Sequence, residues 1–193
     1  MRRAATSKGE LLRMGFQDPD AAAADLDRLG SAAEPLLALL GRTADPDAAL
    51  DGLVRLAGAV PDRAPLLEAL VDDEGTAMRL LCVLGASEAL TDHLVRHPEH
   101  GGTRPAAWAM RERLLEAVAG LPDAEALDAL RVEYRRQLLR IAARDLTHHL
   151  GIDDAAAELS DLAAGTLDAA LAIARERVGE DAALARLGVV AMG

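Results

Sequence analysis

The sequence is poor in aromatic residues and contains a single cysteine. Its three aromatic residues are Phe16, Trp108 and Tyr134, so the core must be built from leucine, valine, isoleucine and alanine. Leucine and alanine are strong helix formers, and small alanine faces let helices pack closely. Because Cys82 is the only cysteine, no internal disulfide can form. Its apolar setting, RLLCVLG, indicates a small core residue rather than a nucleophile.

Long apolar runs and positive net charge are also missing. No apolar stretch approaches the roughly 20 residues that a membrane-spanning helix needs, and no apolar signal core follows Arg2 and Arg3. The 32 acidic residues outnumber the 21 basic residues, which gives a net charge of −11. Such a chain is repelled by phosphate backbones. We therefore expect a cytoplasmic protein that binds neither nucleic acid nor a membrane.

The sequence contains none of the common catalytic or phosphate-binding motifs. GxxxxGK[ST] and GxSxG are absent, and no GxGxxG follows a predicted strand. Considered by themselves, the residues therefore predict no catalytic, cofactor-binding or metal site in this chain.

Helix start and stop signals are frequent along the chain. Asp18-Pro19 and Asp45-Pro46 each place an acidic N-cap before a proline at the first helical position. The predicted helices cover about 20–29, 32–41, 46–58, a segment from near 62, 74–85, 88–97, 105–119, 123–149 and a segment capped by Asp153. Residues 98–104, PEHGGTR, are predicted to form a loop. The predicted fold is all-α: an irregular multi-helix domain with a long C-terminal helical pair.

Residues 187–192, LGVVAM, are the exception to the helical pattern. A short apolar run with two adjacent valines indicates a buried β-strand. No second segment of the sequence has a comparable pattern, and a strand needs a partner for its backbone groups. The sequence therefore predicts an orphan strand after the helices.

Three histidines suggest a metal site, but the spacing does not complete one. His93 and His97 share a helix face, as two ligands at i and i+4 do. There is no HExxH pattern, and His100 falls beyond Pro98 in the predicted loop. Because a zinc site needs at least a third protein ligand, we assign these histidines to surface and helix-end positions and predict no metal site.

Two acidic clusters and a histidine pair lie at predicted helix ends. Residues 72–74 (DDE) and 153–154 (DD) stand at predicted helix starts, where acidic side chains act as caps. His148-His149 stands at a predicted helix C-terminus, where the helix dipole favours positive charge. These positions predict structural roles for all of them.

Arg136, Arg140 and Arg144 recur every four residues and form a row along one helix face. Like charges at this spacing repel each other by a few tenths of a kcal/mol per pair, so other groups must compensate them. Acidic side chains from neighbouring helices are one possibility. A phosphate-bearing or acidic partner is the other, since arginine binds such groups with two parallel hydrogen bonds.

Five stretches together carry a family resemblance. The two most specific are LGASEALTDHLVRHPE at 84–99 and LRVEYRRQLLRIAARDL at 130–146. The others are 14–26, 45–56 and 162–177. Taken in chain order, the five stretches resemble the large bacterial enzymes that adenylylate and deadenylylate glutamine synthetase. In that family the stretch at 130–146 tends to read R-x-x-R-R-x-x-L-x-R-I-A-x-x-D-L. The variant is similar to the actinobacterial ones.

The resemblance implies a domain boundary near the end of the chain. In the family, a strand resembling residues 187–193 opens the first nucleotidyltransferase-type domain and runs into K-x-G-G-x-E-L-N-x-x-S-D-x-D. The aspartates of that motif hold the catalytic magnesium ions, and Gly193 corresponds to its first glycine. Residues 1–186 are then expected to be a helical N-terminal region, and the strand belongs to a sheet that the chain does not contain.

The resemblance also implies an activity for the intact enzyme. That enzyme would use ATP and magnesium to transfer AMP to a tyrosine of glutamine synthetase. It would remove the AMP by phosphorolysis, under control of a PII-type regulator and glutamine. The catalytic carboxylates are absent from the present sequence, so this chain is expected to be inactive alone and to bind no cofactor.

A function of a different class stays open. The chain could be a self-standing helical protein-interaction module whose contact face is Arg136, Arg140 and Arg144. The segment 187–193 distinguishes the two hypotheses, because a complete helical module has no use for a terminal strand.

Overall fold

The computed structural model describes residues 6–102 and 110–179, and the regular secondary structure of this part of the chain is helical, with no strand. The all-α prediction is therefore confirmed. The predicted strand at 187–192 and the predicted boundary at 187 lie outside the described residues. Within the described residues, no helix combines the length and the apolar character that crossing a membrane requires.

Ten α-helices and two 3-10 helices make up the described part of the chain. The α-helices are α1 (Lys8–Arg13), α2 (Pro19–Leu29), α3 (Leu37–Leu40), α4 (Pro46–Ala59), α5 (Ala64–Asp72), α6 (Glu74–Leu84), α7 (Glu88–Arg96), α8 (Met110–Val118), α9 (Asp123–Asp145) and α10 (Ile152–Val178). The 3-10 helices are Ser31–Leu36 and Pro98–Gly102.

The helix starts follow the capping signals of the sequence. The Asp18 carboxylate accepts a hydrogen bond from the N–H of Ala21 at 3.0 Å, and the Asp45 carboxylate accepts one from Ala48 at 3.0 Å. In both cases the proline at the first helical position has no N–H that would need a partner. The predicted starts of α2 and α4 are confirmed.

Three helix boundaries differ from the prediction. The segment 32–41 is divided into a 3-10 helix and α3, because Pro35 cannot donate the hydrogen bond that a continuous α-helix needs. Helix α9 ends at Asp145 and not near His149, since His148 adopts a positive φ of 56° that stops the helix. Asp153 lies inside the first turn of α10 rather than at its cap.

The chain divides into two compact units, and the first consists of Met1–Pro105 and Leu139–Ala155. Helix α4 contacts α2, α6 and α7 in this unit. A side chain at Gly52 of α4 would place its Cβ 3.1 Å from Thr91 Cγ2 and 3.2 Å from Leu84 Cβ, so a glycine allows this close approach. The largest fully buried side chains of the unit are Phe16, Leu11, Leu36, Leu40, Leu50, Leu53, Leu56, Leu67, Leu81 and Leu94.

The second unit consists of Ala106–Leu138 and Ala156–Gly193. Helix α10 packs closely on α8 at Gly165. A Cβ at this position would lie 2.9 Å from Leu114 Cδ1, so the absence of a side chain allows the close approach. An ion pair of 2.7 Å joins Arg177, at the end of α10, to Asp123, at the start of α9. This contact is the one expected of an antiparallel pair, in agreement with the predicted long C-terminal helical pair.

Candidate functional site

The arginines of the predicted row differ in their surroundings. Arg140 is only 8% exposed. Arg136 donates a hydrogen bond from Nη1 to Glu133 Oε2 at 3.3 Å, one helical turn away. Arg144 is half-buried, and its Nε–H points back to the backbone oxygen of Arg140 at 3.3 Å. The acidic partner of Arg136 lies in α9 itself, whereas the prediction named acidic side chains of neighbouring helices. The use of this row as an interaction face stays a prediction.

Replacing Arg140 by alanine separates the two interpretations of the row. We expect the free energy of unfolding to fall by at least about 1 kcal/mol, since the variant loses a buried side chain and the packing of its apolar stem. The matched control is Arg135→Ala in the same helix, where the side chain is exposed and the expected change is within about 0.5 kcal/mol. An unchanged or higher melting temperature of Arg140→Ala would favour the interaction face.

The three central histidines form a cluster, which the sequence did not predict. The ring centroids of His93, His97 and His100 are 5.0 to 5.2 Å apart. His93 is 1% exposed, so its assignment to a surface position is wrong. The sequence interpretation placed His100 in a loop, but the segment after α7 is a 3-10 helix that returns the His100 ring to α7. We call His93, His97, Glu99 and His100 the histidine cluster.

The carboxylate of the histidine cluster belongs to Glu99. Its pKa is lowered, first by a hydrogen bond from its own backbone N–H and then by the neighbouring His100 and His97 rings. The side chain is mostly exposed, so the carboxylate faces solvent on one side and the two rings on the other.

A cleft of about 360 Å³ lies in the first unit. An ion pair of 2.9 Å between Arg42 and Glu74 stands in its wall, together with Cys82. Burial raises the pKa of the Cys82 thiol, and this favours the protonated form. Because the nucleophile is the thiolate, the raised pKa disfavours a nucleophilic role for Cys82. The side chain is half-buried in the cleft wall, so the prediction of a core position is wrong.

Four of the five residues in the two acidic clusters lie at helix starts, as predicted, whereas Asp72 is the last residue of α5. The Asp73 side chain accepts a hydrogen bond from the N–H of Thr76 at 3.1 Å and caps α6. Asp153 and Asp154 both lie in the first turn of α10, where the helix dipole favours negative charge. These carboxylates serve the helices, and the structure does not join them into one site.

Comparison with known proteins identifies the family of the chain. The family model of glutamate-ammonia ligase adenylyltransferase matches residues 77–193. A protein of Streptomyces coelicolor is 49% identical over 192 residues, which cover 95% of this chain and 19% of that protein. A protein of Streptomyces avermitilis is 47% identical over 205 residues, which cover 99% of this chain and 20% of that protein. Both are named bifunctional glutamine synthetase adenylyltransferase/adenylyl-removing enzyme.

The chain belongs to the glutamate-ammonia ligase adenylyltransferase family. The family resemblance seen in the sequence is thereby confirmed, including its similarity to actinobacterial members. The chain spans about a fifth of the length of these curated relatives. No solved structure matches it significantly. The family match includes the histidine cluster and the arginine row, together with α8, α9 and α10.

Proposed function

We propose that this chain is the helical N-terminal region of an enzyme that adenylylates and phosphorolytically deadenylylates a tyrosine of glutamine synthetase. The observation that carries the proposal is the 49% identity, over 95% of this chain, to a relative named for both activities. The chain matches only about a fifth of that relative, so its function is part of a larger enzyme's function.

We propose in addition that residues 1–186 form this helical region and that residues 187–193 are the first strand of a nucleotidyltransferase-type domain. Two observations support the division. The described residues are helical up to Val178, and the family match continues through residue 193. The valine-rich segment 187–192 has the composition of a buried strand.

In the intact enzyme, ATP would be the AMP donor and magnesium ions would stabilise the phosphates during transfer. Such chemistry needs carboxylates clustered around the metal ions. In the described residues, the acidic clusters at α6 and α10 lie instead at helix starts. The role proposed for this chain is therefore packing support and not catalysis.

Glutamine synthetase and a PII-type regulator would be the partners, and the enzyme would work in the cytoplasm.

The test of this proposal is an assay of the 193-residue chain beside the Streptomyces coelicolor relative at full length. We expect the chain alone neither to incorporate AMP into glutamine synthetase from ATP nor to release ADP from adenylylated glutamine synthetase with phosphate. The full-length relative, assayed under the same conditions, is the positive control. Turnover by the pure chain above a buffer blank would show that the catalytic groups lie within it and would contradict the proposed role.

A further inference from the structure

We propose that His97, Glu99 and His100 bind a divalent transition-metal ion of the zinc class, with His93 as the residue that positions His100. This site goes beyond the proposed function, because nucleotidyl transfer uses magnesium held by carboxylates. Two imidazoles and one carboxylate favour zinc, cobalt or nickel instead, since magnesium prefers oxygen ligands.

The chain conformation after α7 creates the cluster. His97 is the C-cap of α7 with φ of −133° and ψ of 67°, outside the helical region. Pro98 follows and cannot continue the helix. The N–H of His100 then donates a hydrogen bond to the backbone oxygen of His97 at 3.0 Å, within the 3-10 helix Pro98–Gly102. This turn reverses the chain and places three ligands within four consecutive residues.

Two of the three distances between the ligand atoms are close to those around a bound zinc ion. Tetrahedral zinc with bonds of about 2.0 to 2.1 Å has neighbouring ligand atoms about 3.3 to 3.4 Å apart. Glu99 Oε1 lies 3.4 Å from His97 Nδ1 and 3.5 Å from His100 Nε2. All three ligand atoms lie within 4.8 Å of one another. Two edges of the tetrahedral face are therefore already close to the required length.

His93 supplies the support that a metal-binding histidine needs. Its Nε2 lies 3.0 Å from Nδ1 of His100, the ring nitrogen of His100 that faces away from Glu99. When Nε2 of His100 binds an ion, Nδ1 carries the proton and donates it to His93. Such outer hydrogen bonds fix the tautomer and the ring orientation of metal ligands. The burial of His93 holds this acceptor in a defined position.

The site is open on one side. The Glu99 side chain is 66% exposed, whereas the His100 side chain is nearly buried. An ion can therefore reach the ligands from solvent and would keep a fourth position for water or a ligand from another molecule. A closed structural zinc site would instead have four protein ligands and no open position.

The experiment is a titration of the untagged 193-residue chain, freed of metal with a chelator, with Zn²⁺ in a calorimeter and with Co²⁺ in a visible spectrometer. We expect one ion per chain, visible absorption typical of four-coordinate cobalt, and a melting temperature that rises with Zn²⁺ concentration. His97→Gln and Glu99→Gln should each weaken binding at least tenfold. Because Glu99 is largely exposed, its variant keeps the fold intact.

Two further variants complete the test. His93→Leu should weaken Zn²⁺ binding about 10- to 100-fold, and His93→Gln, whose amide oxygen can accept the same proton, should keep most of the affinity. The matched control is His149→Gln, outside the histidine cluster, which should bind as the unmodified chain does. Absence of uptake at one ion per chain would overturn the proposal. So would equal affinity in Glu99→Gln and the unmodified chain, or equal weakening in His149→Gln.

Discussion

Replacing Phe16 by alanine is expected to lower the free energy of unfolding by about 3 to 5 kcal/mol. Removal of a buried aromatic ring loses its transfer free energy and leaves a cavity that neighbouring side chains fill only in part. Phe16 is almost completely buried, and its backbone N–H is fixed by a hydrogen bond of 3.1 Å to the oxygen of Leu11. Since native proteins are stable by only about 5 to 15 kcal/mol, this loss is large.

The control for Phe16→Ala is Leu12→Ala in α1, whose side chain is exposed. Its expected effect is within about 0.5 kcal/mol, because an exposed leucine contributes little and alanine is a good helix former. Urea denaturation followed by circular dichroism gives both values from the shift of the midpoint. A loss below about 1 kcal/mol for Phe16→Ala would show that this ring is not packed in the core as described.

Replacing Glu133 by alanine is expected to cost about 2 to 3 kcal/mol. The buried Glu133 carboxylate accepts hydrogen bonds from Arg136 Nη1 and from the side-chain amide of Gln137. Removal of one partner leaves a charge that is partly excluded from water, which costs about 3 to 5 kcal/mol for a fully buried pair. The side chain of Arg136 is 25% exposed, so solvent reduces the cost.

Helix α9 also contains the matched control for the Glu133→Ala variant. Asp128 and Arg131 form an ion pair of 2.6 Å with the same i,i+3 spacing, but both side chains are exposed. Asp128→Ala should therefore cost about 0.5 kcal/mol or less. Equal losses in the two variants would mean that the burial of the Glu133 pair has no energetic consequence, contrary to the structure.

Local signals predicted much of the fold. The Asp-Pro pairs start α2 and α4 where expected. The short helix α1 was missed, although its signal is present: Ser7 and Glu10 form a capping box in which each side chain bonds the other's backbone N–H. A six-residue helix has too few turns to show an apolar period, and its stability comes from tertiary packing of Leu11.

The parts that could not be predicted depend on contacts made in space. The row formed by Arg136, Arg140 and Arg144 is evident from the spacing, but the burial of Arg140 depends on how the chain packs. The ring of His100 meets His93 only because the turn after Pro98 reverses the chain. A single sequence shows which ligands are available, and the conformation of one turn decides whether they meet.

The most direct measurement of the proposed function is a segment exchange with the Streptomyces coelicolor relative. Its aligned segment is replaced by this chain, and the chimaera is assayed for adenylylation of glutamine synthetase and for phosphate-dependent release of ADP. A second chimaera, with an unrelated helical segment of equal length, is the control. We expect the first chimaera to keep both activities and the second to lose them. A first chimaera that shows full helical content by circular dichroism but has neither activity would contradict the assignment of this chain to the helical region of such an enzyme.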